Sequence, residues 1–245
     1  MPEQSQPSNE SDASAAGHAA SEAATADAST EGTTSDATGG LYLIGHPLVQ
    51  VKLSRLRDAT TSPAEFRRVT RELAALLFFS LTDDLPVVET EVQTPLAGCV
   101  GYGLARPLVL APILRAGLGL LEGIHDLVPD AAVAHIGIYR DENTLEAHRY
   151  YARVPAFDLD DADIIVLDPM LATGHTAVEA VNALKSAGAR SVRLLCLVSC
   201  PQGLQTLHEA HPDVPIYTAS VDSGLNELGY IVPGLGDAGD RYFGT

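Results

Sequence analysis

The sequence predicts an α/β protein, a mostly parallel sheet with helices on both faces. Two patterns carry that expectation. Short apolar runs recur at 107–114 (PLVLAPIL), 132–139 (AVAHIGIY), 163–170 (DIIVLDPM), 191–198 (SVRLLCLV) and 216–222 (IYTASVD). They lack the polar alternation of a half-solvated strand, so each reads as a strand buried on both faces. Between the later runs lie 176–189 and 201–211, whose apolar residues recur at the 3.6-residue period of an amphipathic helix. Buried strands alternating with such helices pack as a sheet between helical layers. In that architecture ligands bind beyond the carboxyl ends of the strands.

The elements follow in chain order. Residues 1–40 are dominated by Ala, Ser, Thr, Gly, Asp and Glu and hold no aromatic residue, Lys or Arg. They cannot bury enough apolar surface to offset the entropy of ordering, and a disordered acidic tail is expected there. The ordered domain is expected over 41–245. The stretch SPAE at 62–65 is a helix start: Ser62 caps, Pro63 suits the first turn and Glu65 closes a capping box. Phe66, Val69, Leu73, Leu76 and Leu77 follow at helical spacing. Residues 86–104 alternate weakly between Gly and Pro breaks and predict a hairpin-like excursion, before the apolar runs begin.

Composition excludes several functions. The chain of 245 residues is 46% hydrophobic, ample for a core, and carries a formal net charge of -17. That charge argues against sequence-independent binding to nucleic acid and against adhesion to an anionic membrane. Lys52 and Lys185 are the only lysines; the other cationic side chains are arginines. The three cysteines, Cys99, Cys196 and Cys200, form no CxxC pair. They suit neither a disulfide framework nor a zinc site, and a reducing cytoplasm fits them best. Cys196 and Cys200 read as core residues. His46, His125, His135 and His148 share no metal-ligand spacing, so no protein-held metal is expected. With no basic start leading into an apolar run, and no stretch of about 18 apolar residues, the chain is expected to be neither secreted nor membrane-spanning.

The chemistry concentrates in DIIVLDPMLATGHTAVEAVNAL. An apolar strand delivers Asp168, a short loop follows, and a helix is expected from about Thr176. The loop Ala172-Thr173-Gly174-His175-Thr176 offers consecutive backbone N–H groups at a helix N-terminus with two hydroxyls beside them. Unsatisfied amides and the helix dipole both favour an anion, so the combination suits a phosphate monoester. Asp168, just upstream, can accept from ribose hydroxyls. An ordinary strand-to-helix turn with a capping Thr would look the same in spacing alone.

VLDPMLATGHT resembles the phosphoribosyl-diphosphate loop of the uracil phosphoribosyltransferase family. Other family segments occur in order: HPLVQVKLSRLRD (46–58), APILRAGLGL (111–120), GIYRDENTLEAHRYY (137–151) and GYIVPGLGDAGDRYFG (229–244). The resemblance spans about 41–245. It implies a type I phosphoribosyltransferase fold with a β-hairpin arm and a C-terminal base-binding hood. It also implies transfer of the phosphoribosyl group from phosphoribosyl diphosphate to uracil, giving UMP and diphosphate with Mg2+. By resemblance Arg115, Arg140, Asp168 and Asp237 are the catalytic set. The phosphoribosyl diphosphate contacts are Arg115, Arg140, Asp237 and the run Asp168, Pro169, Met170, Leu171, Ala172, Thr173, Gly174, His175 and Thr176. Guanidinium groups suit the diphosphate, since their planar forks stay charged and match phosphate oxygens.

The C-terminal Gly234, Gly236 and Gly239 have GxGxxG spacing. A dinucleotide site should follow the first strand of a unit and open a helix, and only six residues follow Gly239. By resemblance the backbone at Ile231 and across Gly236, Asp237 and Ala238 instead reads uracil, whose O2, N3–H and O4 match main-chain donors and acceptors. Asp237 is the candidate general base, although main-chain polarisation of uracil could replace it. The family also implies a homodimer or higher homo-oligomer and a nucleotide effector such as GTP. One departure stands out: the family's TGGS reads Thr173-Gly174-His175-Thr176 here, and a positive φ at His175 would weaken phosphate binding. Two other readings stay open at this point, a transferase of this fold for another base and a non-catalytic regulator binding nucleotides or RNA. Assays with several bases, and a salt-sensitive RNA titration without turnover, discriminate them.

Overall fold

A computed structural model describes residues 34–35, 40–140 and 147–245, the side chains of 34–35, 140 and 147–149 excepted. Most of the expected acidic tail therefore lies outside the described residues. The chain runs β1 (Thr34–Ser35), β2 (Leu41–Leu43), α1 (Pro47–Arg57), α2 (Pro63–Leu81), then the hairpin β3 (Val87–Gln93) and β4 (Gly98–Leu104). Next come β5 (Leu108–Leu114), α3 (Leu118–His125), β6 (Ala132–Val133), β7 (His135–Arg140), β8 (Ala147–Arg153) and β9 (Asp163–Leu167). The rest is β10 (Met170–Leu171), α4 (His175–Ser186), β11 (Ser191–Ser199), α5 (Pro201–Ala210), β12 (Ile216–Val221), β13 (Gly224–Leu225), β14 (Ile231–Val232) and α6 (Ala238–Phe243).

The main sheet has the order β1-β2-β12-β11-β9-β5-β7-β8, parallel from β2 to β7, with antiparallel β1 and β8 at its edges. Side chains alternate across each central strand, which divides the core in two. Leu108 and Leu110, Ile165 and Leu167, and Leu195 and Leu197 point to the layer of α1, α2, α3 and α6. Val109 and Ala111, Ile164 and Val166, and Leu194 and Cys196 point to the layer of α4 and α5. That is why these strands read as unbroken apolar runs. Cys196 and Cys200 are fully buried, and burial pushes the Cys196 thiol up to about 12.

The expected elements recur with shifts that have local causes. The run 132–139 is interrupted at Ala134, which separates β6 from β7. Ser62 does cap α2, its hydroxyl accepting from the Glu65 N–H at 3.3 Å. The Glu65 carboxylate does not reach back to close a capping box; it pairs with Arg55 of α1 at 2.8 Å, where a fork of two hydrogen bonds outcompetes one amide. α4 begins at His175, one residue earlier than expected. No described helix is long and apolar enough to cross a membrane.

Candidate active site

Strand order reverses between β5 and β9: from β5 the chain proceeds outward to β7, and from β9 it proceeds the other way to β11 and β12. Loops leaving the carboxyl ends of such a pair diverge and leave a crevice. There lies a cavity of about 530 Å3, lined by residues 113–116 at the carboxyl end of β5, by Ile138, Tyr139 and Tyr150 of the β7–β8 hairpin, by Asp168 and its following loop, and by Asp237.

Asp168 leaves β9 with its N–H held by the Leu195 carbonyl at 3.1 Å. Its carboxyl faces the cavity, where burial pushes it up to about 7, against the Met170 N–H that favours the ionised form from 3.4 Å. The Pro169 carbonyl accepts from Leu197 and Val198 at 3.0 and 3.1 Å, and β10 pairs in parallel with β11, so this stretch is an extension of the sheet. The chain then turns at Gly174, φ 85°, and enters α4. The first backbone bond into the helix is from Val178 N–H to the Gly174 carbonyl. Among the described residues no hydrogen bond uses the N–H groups of Thr173, Gly174, His175, Thr176 or Ala177. Thr173, Gly174, Thr176 and Ala177 line the cavity.

The positive φ in this loop falls on Gly174 and not on His175. His175 is the first residue of α4, with ordinary helical backbone; it is exposed and does not line the cavity. The extra bulk therefore turns outward. A Cβ at Gly174 would lie 2.8 Å from the Gly203 carbonyl and 2.8 Å from the Thr206 Cβ, so glycine is needed there twice over.

Arg115 lines the cavity with a largely exposed side chain. Its guanidinium lies 3.5 Å from Asp240 and 5.7 Å from the Phe243 ring centroid. Arg140 ends β7, where its backbone opposes Ala147; its side chain lies outside the described residues. The C-terminal hood is β13, β14 and α6. Ile231 is buried and opposes Leu225, Gly236 is exposed with φ 71°, and Ala238 is buried. Asp237 caps α6, accepting from the Asp240 N–H at 2.8 Å. Of the expected uracil set Asp237 alone lines the cavity; Ile231, Gly236 and Ala238 lie in the hood around it. Pro169 is buried behind the loop. A helix does start among the glycines, at Ala238, but α6 is only six residues long.

Sequence reasoning passed over the residues that hold the hood. Arg57 donates to Asp222 at 2.7 Å from both terminal nitrogens and to the Gly234 carbonyl at 3.0 Å. Arg241 donates to the carbonyls of Leu56, Asp58 and Leu235. The signal available was an arginine one residue before the end of the 46–58 segment and an aspartate ending the 216–222 run.

A family model described as uracil phosphoribosyltransferase matches residues 43–245. A uracil phosphoribosyltransferase of Caulobacter vibrioides is 54% identical over 204 residues, 83% of this chain and 97% of that protein. Its counterpart in Halalkalibacterium halodurans is 52% identical over 206 residues, covering 84% and 98%. A solved structure from Aquifex aeolicus superposes with a TM-score of 0.79 at 38% identity, covering 83% of this chain and 97% of that one. The chain belongs to the uracil phosphoribosyltransferase family.

Proposed function

We propose that the chain transfers the 5-phosphoribosyl group from phosphoribosyl diphosphate to uracil, releasing diphosphate and UMP. One observation carries the residue roles. Thr173, Gly174, Thr176 and Ala177, whose amides are unpartnered among the described residues, line the same cavity as Arg115, Asp168 and Asp237, so the groups this reading needs for a phosphate, a sugar and a leaving group share one crevice. The amides and the α4 dipole take the 5-phosphate, and Asp168 accepts from the ribose hydroxyls. Arg115 and Arg140 bind the diphosphate. The backbone at Ile231, Gly236 and Ala238 presents donors and acceptors to the uracil edge.

In the reaction the bond from ribose C1 to the diphosphate oxygen breaks as uracil N1 bonds to C1. The electron pair leaves with the diphosphate, and the N1 proton passes to Asp237 or to water. Positive charge grows on the sugar while negative charge grows on the leaving group. The chain's contribution is therefore positioning and fixed positive charge at Arg115 and Arg140.

Among the described residues no three His, Cys, Asp or Glu side chains could cage a metal. Mg2+ fits as a companion of the diphosphate, because that ion keeps several waters and binds mainly through substrate phosphates; Asp168 and Asp237 are the carboxylates lining the cavity that would help to hold it. Bound there, it would neutralise the leaving group. UMP formation from labelled uracil and phosphoribosyl diphosphate, with and without Mg2+ and against cytosine, adenine and hypoxanthine, tests substrate and cofactor together. Preferred turnover of another base would overturn the proposal.

A homodimer is the assembly we favour. The β3–β4 hairpin projects from the sheet with β3 wholly exposed, and Val87, Val92, Leu96, Val100 and Tyr102 lie open to solvent. A two-stranded hairpin is marginal by itself, and a second copy covering this apolar surface would fix it. Light scattering on the purified chain checks it; a monomer at micromolar concentration refutes it. The free, exposed Cys99 suits a reducing cytoplasm. GTP is the effector to add to the assay.

A further inference from the structure

Residues of the phosphate loop line the cavity, and two of the carbonyls leading into it are held from behind. A trans peptide points its C=O and the following N–H in opposite directions. The Ala172 carbonyl accepts from the Cys200 thiol at 3.1 Å, and the Leu171 carbonyl lies 3.8 Å from the same sulfur. Fixing the Ala172 carbonyl against the start of α5 turns the Thr173 N–H toward the opposite side, where the cavity is. Cys200 is fully buried, so this thiol has no access to solvent.

The start of α5 comes this close because residue 203 has no side chain. A Cβ at Gly203 would meet the Leu171 carbonyl oxygen at 2.4 Å and that of Ala172 at 2.6 Å, both of them backbone atoms that cannot rotate away. The contact continues one turn on, where Thr206 and the Gly203 carbonyl pack against Gly174 itself. The loop is thus clamped from behind at Leu171, Ala172 and Gly174 by one face of one helix.

We propose that Cys200 and Gly203 are positioning residues for the phosphate loop: together they set the Thr173 and Gly174 amides at the angle that receives the substrate's 5-phosphate. The proposal rests on the assignment of those amides to the phosphate. Neither residue touches substrate; both act through the carbonyls of Leu171 and Ala172.

Gly203→Ala, Cys200→Ala and Cys200→Ser separate this role from a structural one, with Leu207→Ala as a control that removes buried α5 packing elsewhere. Steady-state kinetics, calorimetric binding of ribose 5-phosphate and thermal unfolding are measured on each. Gly203→Ala should raise both the KM for phosphoribosyl diphosphate and the Kd for ribose 5-phosphate at least about tenfold, leaving the KM for uracil within about twofold. Cys200→Ala should move the same two constants in the same direction, and Cys200→Ser, which keeps a donor, should restore them. Leu207→Ala should lower the unfolding temperature without that selective change. If Gly203→Ala does not fold, the Cys200 pair decides. Folded variants with both constants unchanged, or with both substrate KM values rising together as stability falls, overturn the proposal while leaving the loop's assignment intact. A wild-type chain that turns over yet fails to bind ribose 5-phosphate overturns the assignment, and the proposal with it.

Discussion

Arg57 and Asp222 join the first helix to the last glycine loop. The guanidinium gives the carboxylate two hydrogen bonds of 2.7 Å, and the same carboxylate accepts from the Gly234 N–H at 2.8 Å and the Ser220 hydroxyl at 2.7 Å. Asp222 is almost fully buried while Arg57 keeps a quarter of its side chain in solvent. Removing the carboxylate leaves a partly buried arginine and frees the loop at Gly234. Asp222→Ala should therefore cost on the order of 3 kcal/mol in denaturant unfolding. It should also raise the KM for uracil more than that for phosphoribosyl diphosphate. Burial pushes the Asp222 carboxyl up, but Arg57, Ser220 and the Gly234 amide outweigh it and hold it below the ordinary carboxylate range. A carboxyl held low stabilises the fold above its unfolded value, about 3.9, and loses that contribution as pH falls through the folded value. The pair should thus be intact at neutral pH and fail only in acid, so the stability difference between wild type and Asp222→Ala narrows below about pH 4.

Asp168 has the opposite sign. Burial pushes its carboxyl up to about 7, so the ligand-free fold prefers the protonated form. The stabilisation from that proton is complete below the unfolded value near 4 and is lost as pH rises through about 7. The thermal midpoint of the free chain should fall between about pH 4 and pH 7, the window those two values bracket, and Asp168→Asn should flatten that slope. On the proposed role, the ionised carboxylate is the stronger acceptor for the ribose hydroxyls. The kcat/KM for phosphoribosyl diphosphate should then rise with pH to a plateau above about 7, dropping about tenfold per unit on the acid side. A profile flat across pH 6–8 would sever Asp168 from the sugar.

Which elements could be read in advance follows from how each is buried. β9 and β11 pack helices on both faces, so residues 164–167 and 194–198 appear as continuous apolar runs. α1 buries only Val49, Leu53 and Leu56, while Leu48 and Val51 lie exposed among its polar residues, so apolar residues recur off the buried face and blur the helical stripe. α3 hides for another reason. Its Gly119 and Gly123 are poor helix formers, yet a Cβ there would lie 2.6 Å from the Tyr242 ring and 2.3 Å from the Arg71 carbonyl. Close packing on α2 and α6 demands those glycines, and it is visible only once the fold is assembled. The same division holds in the site. Asp168 and the amides after it are contiguous in sequence and were legible, whereas Tyr139 and Tyr150 reach the cavity across a hairpin, and Cys200 supports the loop from the start of α5.

Arg115 holds an alternative partner within reach. Asp240 lies 3.5 Å from its guanidinium, but both side chains are about half exposed or more, and such a pair contributes at most about 1 kcal/mol. A diphosphate offers several charged oxygens and should win that competition. Asp240→Asn should accordingly change the KM for phosphoribosyl diphosphate less than about threefold, whereas Arg115→Ala should reduce kcat/KM about a hundredfold through lost charge-assisted bonds. Titrating NaCl gives a second readout: the wild-type KM should climb with salt as screening weakens the contact, and the Arg115→Ala value should climb less. Equal salt slopes would remove Arg115 from the diphosphate site.

Neighbouring positions 174 and 175 make the sharpest contrast. Gly174 has φ 85° and no room behind it, while His175 has helical backbone and faces solvent. His175→Gly should change the KM for phosphoribosyl diphosphate by less than about tenfold, equivalent to 1.4 kcal/mol, since the amide it offers is set by the helix and not by the ring. Gly174→Ala must either force a side chain into a left-handed conformation against the Gly203 carbonyl or swing the loop off its backing, and either displaces the amides. Its kcat/KM should fall about a hundredfold, with the loss concentrated in phosphoribosyl diphosphate and not in uracil. Were His175→Gly to abolish turnover while Gly174→Ala retained it, the imidazole would be the phosphate ligand, and the amides of the α4 N-terminus would be bystanders.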